Sequence, residues 1–565
     1  MADIKKQKNR EIQISSCGMS VLAQGRGGEL LPSIRNAMNL FGRLLIVKSL
    51  KIPVYVIALF VIFYSWEPLI NAKWSIIDDH EIMSFIGDHE RLPFSRIIPE
   101  LKKTEVVQVG KSIRYRPVYY IFRLLESAVW GKNPRDWYIL RILISALFAI
   151  TITIFFLQLG GAVLTSGFIV FVLSSHYWSD VFARLGPSEV YAVMGVSLVI
   201  LGMIRTIKAS SLDFIAMINV LLGITISAGS KENLIFLGVI PFWFLFSKKI
   251  YVSPLQKKIF IALLVYLAII SSIIINGLSH SGHDIYMNKI SLRMISLLTF
   301  SFFSNKYVWV WLCGGIFLLL ILLKLKLELS CDNDNQRTKN FSLLKSNIIL
   351  FFLMFLIYYS QYIFYSGKWP DGVGRYQFPG VLSGQIALFI FICSVVEVAR
   401  CVLPQSKKII IFLSMFISIF FIVISIQSIE QNRFTSIERV KNSTAFTNLI
   451  KSLTFALLKD PSQNLVLFSH QPMDSEPMVS VTSFLRASGV SNPIMERITY
   501  SSKNYNKLSL EYWLSRDAED NQSKGNRNFS FSPFDPKKIT SGCISIGFSG
   551  PYYPLCNKGY EILSY

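Results

Sequence analysis

What most constrains this chain is a series of apolar runs about 15 to 20 residues long, separated by polar or basic segments. A hydrocarbon core about 30 Å thick needs roughly 20 apolar residues to be crossed as a helix, fewer where protein shields the ends. Backbone N–H and C=O groups find no water there, so such runs must be helical. Eleven runs qualify, near residues 52–70, 138–158, 161–175, 189–204, 212–229, 233–247, 258–277, 308–326, 346–366, 380–400 and 408–428, with only Leu-Gly-Gly-Ala between the second and third. The predicted fold is mainly α, a polytopic transmembrane bundle of about 11 spans. A composition 52% hydrophobic and 16% charged agrees. The net charge of +22 would suggest nucleic acid in a soluble protein. Here loop sidedness explains the Lys and Arg first, no RNA- or DNA-binding motif is found, and no nucleic-acid partner is expected.

Residues 1–51 are a mostly polar or mixed, basic segment with no cleavable leader pattern, and are expected to stay in the cytoplasm. Alternation from that start puts four basic or basic-ended loops inside: 205–208, 247–258, 324–340 and 399–408. Two long segments fall outside, a first loop at 71–137 and a tail at 429–565. Cysteine usage agrees: Cys17, Cys331 and Cys401 lie in or beside inside segments and Cys313 and Cys393 within spans, while Cys543 and Cys556 alone share the outer tail. On an oxidising side that pair reads as a disulfide, or else as two buried thiols. The tail alternates strand-like runs (464–470, 493–500, 543–550, 560–565) with helix-like ones (476–490, 507–516), which predicts a small extracytoplasmic α/β domain. The segment Arg-Asp-Ala-Glu-Asp-Asn-Gln-Ser-Lys-Gly-Asn-Arg-Asn-Phe-Ser reads as a polar loop.

Where the first span ends, Asp78, Asp79, His80 and Glu81 follow one another within "NAKWSIIDDHEIMSFIGDHE". Taken alone, Asp78 suits the N-cap of a helix through "DHEIMSFIG". Other polar clusters share its side of the membrane. "KSIRYRPVYYIFRLLESAVWG" offers Arg114 and Arg116 ahead of a stretch suited to a helix lying on the membrane surface. "SSHYWSDVFARLGPSEVYAVMG" offers His176, Asp180, Arg184 and Glu189; "AGSKENLIFLG" offers Lys231 and Glu232; "SGKWPDGVGRYQFPG" offers Lys368, Asp371 and Arg375. A carboxylate can take the proton of an attacking hydroxyl, and cations can stabilise a departing phosphate. Beside a bilayer, that combination suits a substrate with a lipid tail and a phosphate head.

These features resemble the GT-C superfamily, membrane glycosyltransferases that use polyprenyl-phosphate sugars and include protein mannosyltransferases and the aminoarabinose transferases of lipid A. Asp78-Asp79 within "IIDDHEIMSF" is similar to the family's acidic pair after the first span. "GRYQFPG" is similar to its Arg-Tyr-x-x-x-Pro signature, at Arg375 and Tyr376, and "SKENLIFLGVIPF" resembles the segment whose Lys, here Lys231, holds the lipid phosphate. The resemblance covers residues 50–430 in architecture. It implies inverting transfer from a polyprenyl-phosphate sugar donor to a glycan, lipid or protein acceptor, at the outer face of a bacterial cytoplasmic membrane. Asp78, Asp79 and Glu81 would be the catalytic candidates, with Arg114, Arg116, Arg184, Glu189, Lys231, Arg375 and Tyr376 binding donor phosphate or substrate. The second acid is Asp where the family carries Glu, so which carboxylate acts as base stays open. So does a divalent cation, magnesium or manganese, joining Asp78 and Glu81 to a donor phosphate. His280, His283 and Asp284 have ligand-like spacing but lack a further partner.

Two other classes handle similar substrates. A transporter or flippase would carry ionisable residues near the midplane of its spans. A glycan polymerase or ligase of the O-antigen type would gather Arg and His in one large late loop, whereas here the acids follow the first span.

Overall fold

The computed structural model describes residues 51–104, 106, 115–209, 211–246, 251–280, 292–304, 306–329, 335–365, 374–402, 407–469, 475–500, 528–533, 543–547 and 558–561. The chain divides into two compact units, Met1–Val56 and Ile57–Tyr565, and the site described below lies in the second. The helices in chain order are α1 (Lys51–Trp66), α2 (His80–Ile86), α3 (Ile97–Lys102), α4 (Pro117–Val129), α5 (Pro134–Leu159), α6 (Ala162–Leu173), α7 (Tyr177–Phe182), α8 (Glu189–Ala209) and α9 (Phe214–Ser230). There follow α10 (Val239–Phe246), α11 (Pro254–His280), α12 (Leu292–Ser304), α13 (Lys306–Leu329), α14 (Asn335–Phe364), α15 (Gly380–Val402), α16 (Lys407–Lys459) and α17 (Ser475–Ala487).

Among the described residues six helical stretches are long and apolar enough to cross a membrane: Lys51–Asn71, Pro134–Leu159, Glu189–Thr206, Pro254–Asn276, Gly380–Ala399 and Lys408–Lys459. Arg293–Ser304 and Val308–Ile321 pass the same test only as a pair, bent by 72°. Ala162–Leu173, Phe214–Ser230, Glu232–Leu245 and Asn347–Ile363 are shorter apolar helices. On α16, Phe412, Phe416, Ile419 and Val423 recur at helical spacing and are 72, 63, 57 and 59% exposed. An apolar stripe left so open belongs against lipid, not water.

Small residues let the helices meet closely, as membrane helices do when burial from water no longer drives association. Gly195 of α8 lies against the Gly223 carbonyl and Ser227 of α9, where a Cβ would collide. Gly167 of α6 meets Ser418 of α16 in the same way.

Helix α16 overruns the boundary that hydropathy sets near residue 428. It continues to Lys459, and 53 residues at about 1.5 Å each span roughly 80 Å, far more than a bilayer core. Its projecting part clamps the chain leaving α1. Arg433 Nη1 and Ser436 Oγ donate to the Tyr64 and Ser65 carbonyls at 2.7 Å each, and Ser443 Oγ accepts the Lys73 N–H at 3.0 Å.

Beyond α16 lies a five-stranded sheet: β1 (Asn464–Ser469), β2 (Ile494–Tyr500), β3 (Asn528–Pro533), β4 (Cys543–Gly547) and β5 (Lys558–Glu561). The strands run in the order β3-β2-β1-β4-β5. All pairs are parallel, with Leu465 opposite Ile494 and Asn464 opposite Cys543. One expectation fails here. The end of the segment read as a polar loop is strand β3, because Asn-Phe-Ser-Phe-Ser-Pro alternates apolar with polar residues, and Pro533 ends it at the sheet edge. Cys556 and the helix-like run 507–516 lie outside the described residues.

Candidate functional site

Three chain segments far apart in sequence meet at Asp78. Arg184 Nη2 donates to its Oδ2 at 2.6 Å, and Arg375 Nη1 lies 3.4 Å from the same oxygen. Asp78 is not a helix cap. Helix α2 begins at His80 with Asp79 at the N-cap position, and no side chain caps it. Asp78 instead has φ of 71°, a left-handed conformation that Asp and Asn tolerate better than other side chains, and this turns its carboxylate toward the two arginines. Gly186 backs it so closely that a Cβ would collide with the Asp78 side chain. Burial pushes the Asp78 carboxyl up, but Arg184 and Arg375 beside it outweigh this and hold it well below the usual carboxylate range. Its side chain is still 19% exposed.

The two neighbouring acids have different surroundings. Asp79 is fully buried, its Oδ2 accepts the Ser75 N–H at 2.7 Å, and its Oδ1 has no partner among the described residues. Burial pushes its carboxyl up to about 7, assisted by the negative charge on Asp78 and opposed by the Ser75 N–H. Glu81 Oε2 accepts the Tyr119 hydroxyl at 2.6 Å. Burial raises its carboxyl too, against the opposing pull of Arg123 and the Tyr119 hydrogen bond.

The raised Asp79 carboxyl gives a pH signature. The folded chain keeps a proton that the unfolded chain loses near pH 4, so between about pH 4 and 7 the unfolded state binds fewer protons and stability falls as pH rises. Asp79→Asn removes that penalty. Its melting temperature in detergent, relative to the native chain, is expected to be higher at pH 8 than at pH 5. An equal difference at both pH values would rule the assignment out.

Helix α4 carries the next layer. Ile121, Leu125 and Val129 form an exposed apolar stripe along it, as suits a helix on a membrane surface, while Tyr119, Arg123 and Glu126 face inward and are buried. Arg123 donates to the Leu185 carbonyl and stacks 5.3 Å from the Tyr119 ring and 5.6 Å from that of Trp137. Arg141, fully buried on α5, holds Glu126 with two contacts of 3.0 Å, and Tyr191 donates to the same carboxylate. This framework fixes the loop carrying Arg184 and Gly186.

Among the described residues two further candidate cations are paired. Arg116 forks onto Glu232 at 2.7 and 2.8 Å, and Lys231 meets Glu189 at 2.7 Å with side chains only 3 and 2% exposed. Lys231 also lies 4.8 Å from the centre of the Tyr376 ring, which Arg375 faces at 5.4 Å. The Tyr376 carbonyl accepts Gln361 Nε2 at 3.1 Å, and Gln361 in turn accepts Asn233 Nδ2 at 2.6 Å. Asp180 takes the Gly374 N–H at 2.5 Å, tying α7 to the segment that carries Arg375.

The structure therefore joins Asp78, Arg184 and Arg375 directly, sets Tyr376, Lys231 and Glu189 behind Arg375, and leaves Asp79 inside. Arg114, Lys368, Asp371, His283 and Asp284 lie outside the described residues. Glu476, on the first turn of α17, was missed from the sequence. Its Oε1 accepts the Asp78 N–H at 3.3 Å across 398 residues, and no motif announces that contact. Arg141 and Glu126 were missed as well, although an Arg inside an apolar helix is itself a signal.

Among the described residues no group of three or more His, Cys, Asp or Glu is arranged to hold a metal. The donor set does not suit one either: Asp78 is already matched by two arginines and Glu81 by a tyrosine hydroxyl. Comparison of the chain with protein-family models, with curated proteins and with solved structures finds no match.

Proposed function

We propose that this chain is a membrane glycosyltransferase of GT-C type, moving a sugar from a polyprenyl-phosphate donor to an acceptor hydroxyl. The observation that carries the reading is the Asp78 cluster. A partly exposed carboxylate follows the first apolar helix and lies against two arginines from separate loops. In this reading the six long helices, the bent pair and the four shorter apolar helices make eleven spans of a bacterial cytoplasmic membrane. The Asp78 face is extracytoplasmic, and the sheet with α17 forms a small α/β module on that side.

The chemistry follows from charge. The acceptor oxygen attacks the anomeric carbon as its proton passes to Asp78. The bond from that carbon to the phosphate oxygen breaks on the opposite face, and the electron pair leaves with the polyprenyl phosphate, so the anomeric centre inverts. Arg184 and Arg375 stabilise the charge that develops on the leaving phosphate. Before the donor arrives, those arginines depress the basicity of Asp78. A donor phosphate competing for them restores it, so Asp78 becomes a competent base when a sugar is in place.

Asp79 is fully buried and does not reach an acceptor. Glu81 is tied to Tyr119 and supports the loop. Tyr376 and Lys231 hold Arg375 from behind. Comparing envelope glycans by mass spectrometry with and without this gene tests the proposal. Loss of one hexose or pentose, with its acceptor accumulating, is the expected result; an unchanged glycan profile in a strain making the intact protein overturns it.

A further inference from the structure

Apart from the Asp78 cluster, the structure holds a cavity of about 450 Å³ where α1 ends and α5 begins. Its wall carries four cations, Lys73, Lys132, Arg135 and Lys451, and, among the described residues, no carboxylate. The volume falls in the range of small-ligand sites. Trp74 forms a rigid part of the wall, buried, with its ring edge-on to Trp137 at 6.2 Å. Thr447 Oγ1 also lines the cavity and is buried with no partner among the described residues.

Among the described residues the four cations of the wall outnumber the acid beside them, Asp136 in the first turn of α5. Lys132 Nζ spends one of its three donors on the Ala487 carbonyl at 2.9 Å. The nearby acid Asp136 accepts Asn133 Nδ2 at 2.8 Å. Helix α5, 26 residues long, opens on the cavity through Asn133 and Pro134 with no side chain capping it, so the positive end of its dipole adds to the four cations. Four like charges around one hollow repel each other, and an anion in the hollow turns that repulsion into binding.

We propose that this cavity is a phosphate-binding site at the membrane face that Asp78 occupies, taking the phosphate of a lipid headgroup or of a phosphorylated soluble molecule. It needs only the reading of α1 and α5 as spans, not the transfer chemistry. It is physically linked to the Asp78 loop all the same. Arg439 of α16 donates to Ser75 Oγ at 2.8 Å, Ser75 N–H holds Asp79, and one and two turns or so further along α16 are Ser443, which accepts the Lys73 N–H, and Thr447.

The test uses the full chain in a maltoside detergent, which carries no phosphate, with phosphatidylglycerol added to one sample and soluble glycerol phosphate titrated into another. Bound lipid is counted by native mass spectrometry and soluble-ligand affinity by the shift in melting temperature. Retention of phosphatidylglycerol identifies a lipid headgroup; saturable stabilisation by glycerol phosphate identifies a soluble source. Arg135→Gln/Lys451→Gln, which changes two exposed side chains, is expected to weaken binding about tenfold with the fold intact. Lys73→Gln serves as a second variant. Arg375→Gln, in the other site, should leave this binding in place. Absence of binding to either probe, equal binding by the native chain and both cavity variants, or loss in Arg375→Gln alone would overturn the proposal.

Discussion

Asp78→Asn is expected to lower sugar transfer by about 100-fold or more while the protein still accumulates and melts near the native temperature. Asn has the size of Asp and tolerates the positive φ found at residue 78, so the loop keeps its shape. What disappears is the proton acceptor and one negative charge beside Arg184 and Arg375. The two consequences separate in the kinetics. The catalytic step slows because nothing takes the acceptor proton, whereas donor binding holds or tightens because the arginines no longer have Asp78 as an internal competitor. A purely structural role predicts the reverse, weaker binding and lower stability with catalysis intact. Asp79→Asn and Glu81→Gln are expected to cost much less, since one is buried and the other is committed to Tyr119. Near-normal transfer by Asp78→Asn together with loss in Asp79→Asn or Glu81→Gln would show that the base is a different carboxylate. Activity in all three variants would remove the main support for the transferase reading.

The long apolar helices and most of the strands could be read from the chain because their signals are local, whereas α3, α7 and α12 were not anticipated. Runs of about 20 apolar residues announce membrane helices whatever surrounds them. Period-two alternation announces β1, β2 and β4, and with closer attention to Asn-Phe-Ser-Phe-Ser-Pro it announces β3 as well. Hydropathy misjudged the end of α16 because it marks where a helix leaves the apolar layer, not where the helix stops. The better signal was the absence of Gly and Pro between Pro404 and Pro461, which leaves nothing to break the helix across residues 407–459. At the site, residue types were legible and pairings were not. The clustering of acids after the first span and of cations in later loops pointed to Asp78, Arg184 and Arg375. Which cation met which acid depended on loops hundreds of residues apart, as in the contact of Arg375 with Asp78 across 297 residues. Nothing in the local sequence distinguishes Arg375, beside a partly open carboxylate, from Lys231, enclosed with Glu189.

That distinction has a measurable consequence. From the sequence, Lys231 and Arg375 look equivalent, two cations on outer loops whose removal weakens donor binding and leaves folding alone. The structure separates them. Arg375→Ala removes a cation that is 17% exposed and faces Asp78, so donor affinity or rate is expected to fall about tenfold to a hundredfold with the fold retained. Lys231→Ala instead strands Glu189, whose side chain is 2% exposed, without its 2.7 Å partner. Breaking a buried pair by removing one member costs about 3 to 5 kcal/mol, and the nearness of Arg116 and Arg375 to Glu189 argues for the lower part of that range. The expected outcome is a clear loss of melting temperature and of protein recovered in detergent, before any question of catalysis arises. Neutralising both members is different, because no charge is left buried and the side chains keep their volume. Lys231→Met/Glu189→Gln should therefore recover most of the stability that Lys231→Ala loses. The rescued variant then reports on function: if Lys231 acts only by supporting the Tyr376 ring and Arg375, transfer returns largely with the fold, whereas contact with the donor phosphate would leave the stable double variant deficient in donor binding. If Lys231→Ala melts like the native chain, the buried pair with Glu189 is not what holds this part of the bundle together.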